Sequence, residues 1–203
     1  MKKRLKTIIA LGISGLFMAA YTSLPQSNLP KPSSYLKLDS TLLEITELGG
    51  DLDVPWEISY NPGDNQVWFT EQNGSVFRLN TATGKKEKIF QLEKLYYKKS
   101  TGLFGMALHP DWKTTPYVYL VYTDYYIDKD HNDQIFSKVV RYQFNGKTLV
   151  QPKILLDSIP GKVFHNGARL AISPDRKLYI TTGDIGETKL CQDVTKLNGK
   201  VLR

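Results

Sequence analysis

A single cysteine, Cys191, occurs in the 203 residues, so no disulfide can form within the chain. Flanked by Leu190 and Gln192, it reads as a small buried residue rather than a nucleophile. The apolar run Ile8 to Ala20 has 13 residues, short of the roughly 20 that a membrane-spanning helix needs. Lys2, Lys3, Arg4 and Lys6 account for four of the +7 formal charge, leaving +3 for the rest, which is not the footprint of a nucleic-acid binder. Lys85, Lys86, Lys88, Lys98 and Lys99 read as solvated loop charges. The acidic run Asp128 to Asp133 has neither the glycine nor the closing glutamate of a calcium loop. No metal ligands are assigned.

What is present at the start is a basic segment, then the apolar run, then Met18-Ala19-Ala20. That order is the pattern of a cleaved secretory signal over residues 1–20. No cysteine near residue 20 offers a lipid attachment point. The expectation is a periplasmic or secreted protein with no stable membrane span after cleavage. Residues 21–38 carry Pro25, Pro30 and Pro32 among several serines, a linker composition. Residues 39–203 remain for one core.

That body repeats. Ser59-Tyr60-Asn61-Pro62 precedes the strand-like Gln66 to Glu71, Ala107-Leu108-His109-Pro110-Asp111 precedes Tyr117 to Asp124, and Ala171-Ile172-Ser173-Pro174-Asp175 precedes Lys177 to Asp184. The proline fixes φ and cannot pair in a central strand, so it belongs in the turn. A second strand follows in each unit, ending near Arg78, Arg141 and Arg203 at intervals of 63 and 62 residues. Outer strands are expected at Lys88 to Gln91 and Lys153 to Leu156. With no helical period in the body, the chain is all-β, a β-propeller of four-stranded antiparallel blades; a β-sandwich would space its strands more evenly. Long loops are expected at 92–102, 125–136 and 185–197, on the end where binding groups are displayed. About three blades cannot close a ring, so the chain is expected to be the front half of a longer protein.

Two runs carry candidate chemistry. Phe164-His165-Asn166-Gly167-Ala168-Arg169-Leu170 places an imidazole beside small residues, and Thr181-Thr182-Gly183-Asp184 ends a strand in an acidic corner. Asp184 either faces the cavity near a ligand or closes its own turn. Asn166 either binds a ligand or is structural, and Arg169 either meets an anion or joins blades. His109 reads as a turn residue, His131 as part of a solvated loop, and Trp56, Trp68 and Trp112 as packing.

Four stretches, in order, resemble the soluble glucose/sorbosone dehydrogenase family, and its aldose sugar dehydrogenase branch in particular. They are Val54-Pro55-Trp56-Glu57-Ile58, Gly102 to Trp112, His165 to Leu170 with Pro174-Asp175, and Thr182-Gly183-Asp184 through Gln192-Asp193 to Leu197-Asn198-Gly199-Lys200-Val201-Leu202-Arg203. The resemblance implies a six-bladed propeller that uses pyrroloquinoline quinone (PQQ) and calcium. It implies oxidation of an aldose at the anomeric hydroxyl to a lactone, with electrons leaving to an external acceptor. His165 falls at the general base, a role that suits an imidazole because its unperturbed pKa is about 6.5. Asn166, Asp184 and Ser100 fall at cofactor-binding positions. There are departures. Phe164 stands where a sugar-oxidising relative has Asp, Ser100 where another has Gln, and Ala168 where the pattern has a second Gly, whose added methyl would narrow the approach. The family's Arg-Asn cofactor clamp and calcium ligands fall beyond Arg203. The alternative reading is a non-catalytic propeller that binds a glycan or protein, or an inactive fragment; a metal-dependent lactone hydrolase finds no carboxylate cluster here.

Overall fold

The computed structural model describes residues 31–203. The expected signal and the first part of the linker lie outside the described residues. A short hairpin, β1 (Ser34–Lys37) and β2 (Leu42–Ile45), comes first and is exposed along both strands. Three antiparallel meanders follow. The first runs β3 (Pro55–Asn61), β4 (Gln66–Glu71), β5 (Ser75–Asn80) and β6 (Lys86–Gln91). The second runs β7 (Leu103–Leu108), β8 (Tyr117–Ile127), β9 (Asp133–Phe144) and β10 (Leu149–Pro160). The third holds β11 (Gly167–Ile172), β12 (Leu178–Thr182) and β13 (Val201–Leu202). β7 packs between β3 and β11, so the three sheets are successive blades of a β-propeller with their first strands innermost.

The turns follow from local chemistry. Asn61, Asn73, Asn80 and Asn145 each accept a backbone N–H two residues ahead, at 2.9 to 3.0 Å, which closes the chain on itself before the next strand. Gly63 has a second reason. A Cβ there would lie 2.5 Å from Trp112 of the neighbouring blade, so the turn must be bare for that indole to seat.

The blades are joined by apolar packing. Trp68, Trp112 and Phe144 form an aromatic cluster between blades 1 and 2, with centroids 5.1 to 5.8 Å apart. Phe104, Val121, Val139, Ala168, Leu170 and Ile180 fill the space between blades 2 and 3. β7 and β11 approach closely because Gly105 has no side chain; a Cβ would stand 2.9 Å from Arg169 Cα. On the far face of blade 1, Leu48, Leu52, Ile58 and Phe69 line an apolar cavity of about 410 Å³, which the described residues leave uncovered.

The expected loop at 125–136 is largely sheet. The β8–β9 ladder continues through Tyr125↔Ile135 and Tyr126↔Gln134 to Ile127↔Asp133, because Tyr-Tyr-Ile and Ile-Phe favour extended backbone. Only the polar tip turns, with Asp128 accepting the N–H groups of Asp130 and Asn132 at 2.9 Å. Just inside this ladder lies Asp124, 2% exposed. Burial would raise its pKa, but Lys138 at 2.5 Å, the Tyr125 N–H and Lys94 at 3.3 Å outweigh that and hold the carboxyl below its ordinary value.

A depressed folded-state pKa contributes stability above the unfolded value of about 3.9, lost as pH falls through the folded value. Asp124→Asn should therefore lower stability by roughly 3 kcal/mol at pH 7, since it strands the Lys138 ammonium. Denaturant titrations at pH 7 and pH 3 check this, and the difference between variant and parent should shrink at the lower pH.

Candidate functional site

The loop from β10 into β11 carries His165. Its shape is fixed by Asn166, 5% exposed, whose Oδ1 accepts the Lys162 N–H at 2.9 Å and whose Nδ2 donates to Lys162 O at 2.6 Å and Ser100 O at 3.5 Å. His165 takes a φ of 58° and Gly167 one of 91°, so the chain turns sharply on both sides of Asn166. The loop then docks on the corner after β12. His165 O accepts the Ile185 N–H at 2.9 Å and Asn166 O accepts the Gly183 N–H at 3.0 Å. A Cβ on Gly183 would lie 1.9 Å from His165 O, so only glycine permits this contact. From the other side, buried Asn198 donates to Pro160 O at 2.8 Å and Gly183 O at 3.4 Å. That gives the Leu197-Asn198-Gly199 run its local purpose: it ties the start of the histidine loop at Pro160 to the Gly183 corner on which the loop rests. Sequence reading noticed the run without assigning it a site role.

The docking brings His165 Nδ1 to 3.2 Å from Asp184 Oδ1. The same carboxylate accepts the Gly186 N–H at 2.9 Å, and chiefly for that reason its pKa lies below the ordinary value. An ionised carboxylate can only accept. The contact therefore selects the tautomer with the proton on Nδ1, which leaves Nε2 of the neutral ring as a proton acceptor. The imidazole is 64% exposed, open to a ligand on its free edge.

His165 lines an open cavity of about 360 Å³ with Trp56, Ser100, Asn166, Arg169 and Thr181. Ser100, Asn166 and His165 thus meet at one cavity. Asp184 reaches the site through the imidazole and does not line the cavity. Arg169 pairs with Glu57 at 2.8 Å, linking β11 to β3 beside the same cavity. Trp56 Nε1 is buried without a hydrogen-bond partner among the described residues. Phe164 lies against the His165 ring, with centroids 5.3 Å apart, and over Gly186; it is not part of the cavity wall. Ala168 is 4% exposed; it belongs to the core between blades 2 and 3 and also lines the cavity, where the second Gly of the pattern would leave no methyl. His109 accepts the Asp111 N–H in its turn, and His131 sits at the hairpin tip. No group of three or more His, Cys, Asp or Glu that could hold a metal ion occurs among the described residues.

Residues 52–203 match the family model for glucose/sorbosone dehydrogenases. The chain is 31% identical to quinoprotein glucose dehydrogenase B of Acinetobacter calcoaceticus, an alignment covering 94% of this chain and 40% of that protein. Among solved structures it is similar to a Thermus thermophilus putative oxidoreductase (glucose dehydrogenase), with 34% identity and a TM-score of 0.68 over 78% of this chain and 46% of the other. It is also similar to the PQQ-bound aldose sugar dehydrogenase of Streptomyces coelicolor, with 28% identity and a TM-score of 0.69 over 86% of this chain and 49% of the other. The chain spans less than half the length of each of these relatives.

Gly183→Ala should destabilise the chain by about 1–3 kcal/mol, the usual range for overpacking, and should displace the histidine loop. Thermal unfolding, with the His165 ring resonances as a local probe, checks both; a neutral substitution would show that the loop does not depend on this contact.

Proposed function

We propose, for a chain that belongs to the glucose/sorbosone dehydrogenase family, that the protein oxidises an aldose at its anomeric hydroxyl to a lactone, with His165 as general base. The observation that carries this reading is the imidazole lining the cavity with its Nδ1 held by the Asp184 carboxylate at 3.2 Å. A base needs a free ring nitrogen facing substrate and a partner that steadies the charge it acquires. His165 Nε2 takes the hydroxyl proton, and Asp184 orients the ring and stabilises the imidazolium that results. Phe164 replaces the carboxylate that a sugar-oxidising relative carries before its histidine, and Asp184 supplies a carboxylate from the adjacent corner instead.

The cavity fits one edge of PQQ, a flat molecule bearing carboxylates. Trp56 offers an aromatic wall, Arg169 a half-exposed guanidinium, and Gly167 a bare backbone. When bound, PQQ would supply the acceptor for the hydride leaving the anomeric carbon. Ser100 stands at the rim as a hydroxyl for cofactor or sugar. Asn166 spends its carboxamide on the loop backbone, so in this reading it contributes to cofactor binding by fixing the wall. The calcium that the family resemblance implies has no cluster of three or more His, Cys, Asp or Glu among the described residues. The basic and apolar opening of the sequence supports a periplasmic or secreted setting, with electrons passing to an external acceptor.

His165→Ala should lower sugar-dependent dye reduction by about 10²–10⁴-fold, the range for loss of a general base, while PQQ still binds. Asp184→Asn should lower kcat by less. Steady-state kinetics of the protein carrying this sequence, supplied with PQQ and a panel of aldoses, make the test. Full turnover in His165→Ala would remove the imidazole from the mechanism. Sugar or glycan binding without turnover in the parent would assign a non-catalytic propeller.

A further inference from the structure

Gln72 follows β4 in the tight connection to β5 and is 6% exposed. It does not line the cavity. Its Nε2 donates to Lys99 O and to Thr101 O, both at 2.8 Å. A carboxamide nitrogen has two protons, and both are used on the carbonyls that flank Ser100. The backbone of Gln72 reinforces the grip. Its O accepts the Leu103 N–H at 3.0 Å, and its N–H donates to Val54 O at 3.0 Å. Gly102 makes the approach possible: a Cβ there would lie 2.2 Å from Gln72 O, and its φ is +138°.

From Ser100 the connection passes to blade 3. The Ser100 N–H donates to Val163 O at 3.2 Å, and its carbonyl accepts from Asn166 Nδ2 at 3.5 Å. Val163 and Asn166 bracket Phe164 and His165 in the chain. A buried amide of blade 1 is thus joined, through one exposed serine, to the segment that carries the imidazole. On the blade 2 side, Thr123 Oγ1 donates to Tyr96 O at 2.8 Å and accepts the Gly102 N–H at 2.7 Å. Both ends of the 96–102 segment are therefore fixed by Thr123, and its middle by Gln72.

We infer that Gln72 is a positioning residue: its carboxamide sets the Ser100 wall of the cavity and, through Ser100, the placement of the His165 loop. The consequence for turnover rests on the proposed sugar-oxidising site; the geometry does not. Without the two donors, the Lys99 and Thr101 carbonyls lose their buried partner, and the segment must shift or admit water to satisfy them.

Gln72→Met keeps the side-chain length and removes both donors. Ser75→Ala serves as control, deleting a 2.8 Å bond to Gln91 near the same turn and touching nothing at Ser100. Amide exchange by NMR should show Ser100 roughly tenfold or more less protected in Gln72→Met, against unchanged core amides of β8 and β9. The His165 ring resonances should move in Gln72→Met and not in Ser75→Ala, and PQQ affinity should fall about tenfold, a change of 1.4 kcal/mol. Unchanged Ser100 protection, a uniform loss across the core, or unchanged His165 resonances would each overturn the inference. So would unaltered PQQ affinity in a variant whose Ser100 segment has loosened. Should Gln72→Met fail to fold, Gln72→Glu offers the same shape: its protonated carboxyl donates one bond and its ionised form none. Ser100 protection, corrected for intrinsic exchange, should then rise as pH falls, and pH-independent protection would contradict the inference. A parent chain that does not bind PQQ would count against the proposed function, while the exchange data still decide the role of Gln72.

Discussion

A sheet with apolar side chains on both faces is stable only when both faces are covered, and the arrangement of this chain follows from that constraint. In blade 1, Trp68 points toward blade 2 while Phe69, next in sequence, stacks on Phe77 at 5.0 Å on the opposite face. Each meander must therefore lie against a neighbour, and the order of packing is the order of the chain. Close approach is arranged where a side chain is missing. Gly63 admits Trp112 between blades 1 and 2, and Gly105 admits β11 beside β7. These contacts bring the first strands of three blades to one axis, and the cavity takes its walls from β3, β11 and β12 and from the loops that enter β7 and β11.

The candidate site extends the same logic from side chains to backbone. Gly183 lets the histidine loop rest on a neighbouring corner, and two interstrand amides hold it there. Asn166 and Asn198 satisfy the remaining polar groups from within. A ring held in this way presents one nitrogen to a carboxylate and the other toward incoming ligand. The exposure of the imidazole and the low pKa of Asp184 are compatible because the carboxylate is satisfied chiefly by the Gly186 backbone rather than by burial. Precision at the site thus comes from main-chain geometry, and the residue before the imidazole, Phe164, packs on its ring without lining the cavity.

Much of the fold was legible in the sequence. The proline turns located β4, β8 and β12, and the arginine spacing located the strands that follow. The β8–β9 extension was hidden because a highly charged tip resembles a loop until the pairing of Tyr125 with Ile135 is known. His165 and its cavity neighbours were also legible, through motif order. The pairing with Asp184 was not, and the reason is one residue of register. Leu170 pairs with Ile180, and counting outward from there would set His165 opposite Ile185. A bulge before Leu170 shifts the count, so that Gly167 pairs with Thr182 and Asp184 faces the imidazole. Gln72 was out of reach for a different cause: its partners lie 27 and 29 residues away in the connection between β6 and β7, and no local pattern marks a buried amide that serves two distant carbonyls.

The central claim is that a carboxylate fixes which nitrogen of His165 carries the proton. Nitrogen-15 NMR of the imidazole at a pH where the ring is neutral measures this directly. The Nδ1–H tautomer is expected in the parent chain, with loss of that preference in Asp184→Asn. An Nε2–H tautomer in the parent would leave the ring without a free acceptor toward the cavity and would contradict His165 as the base.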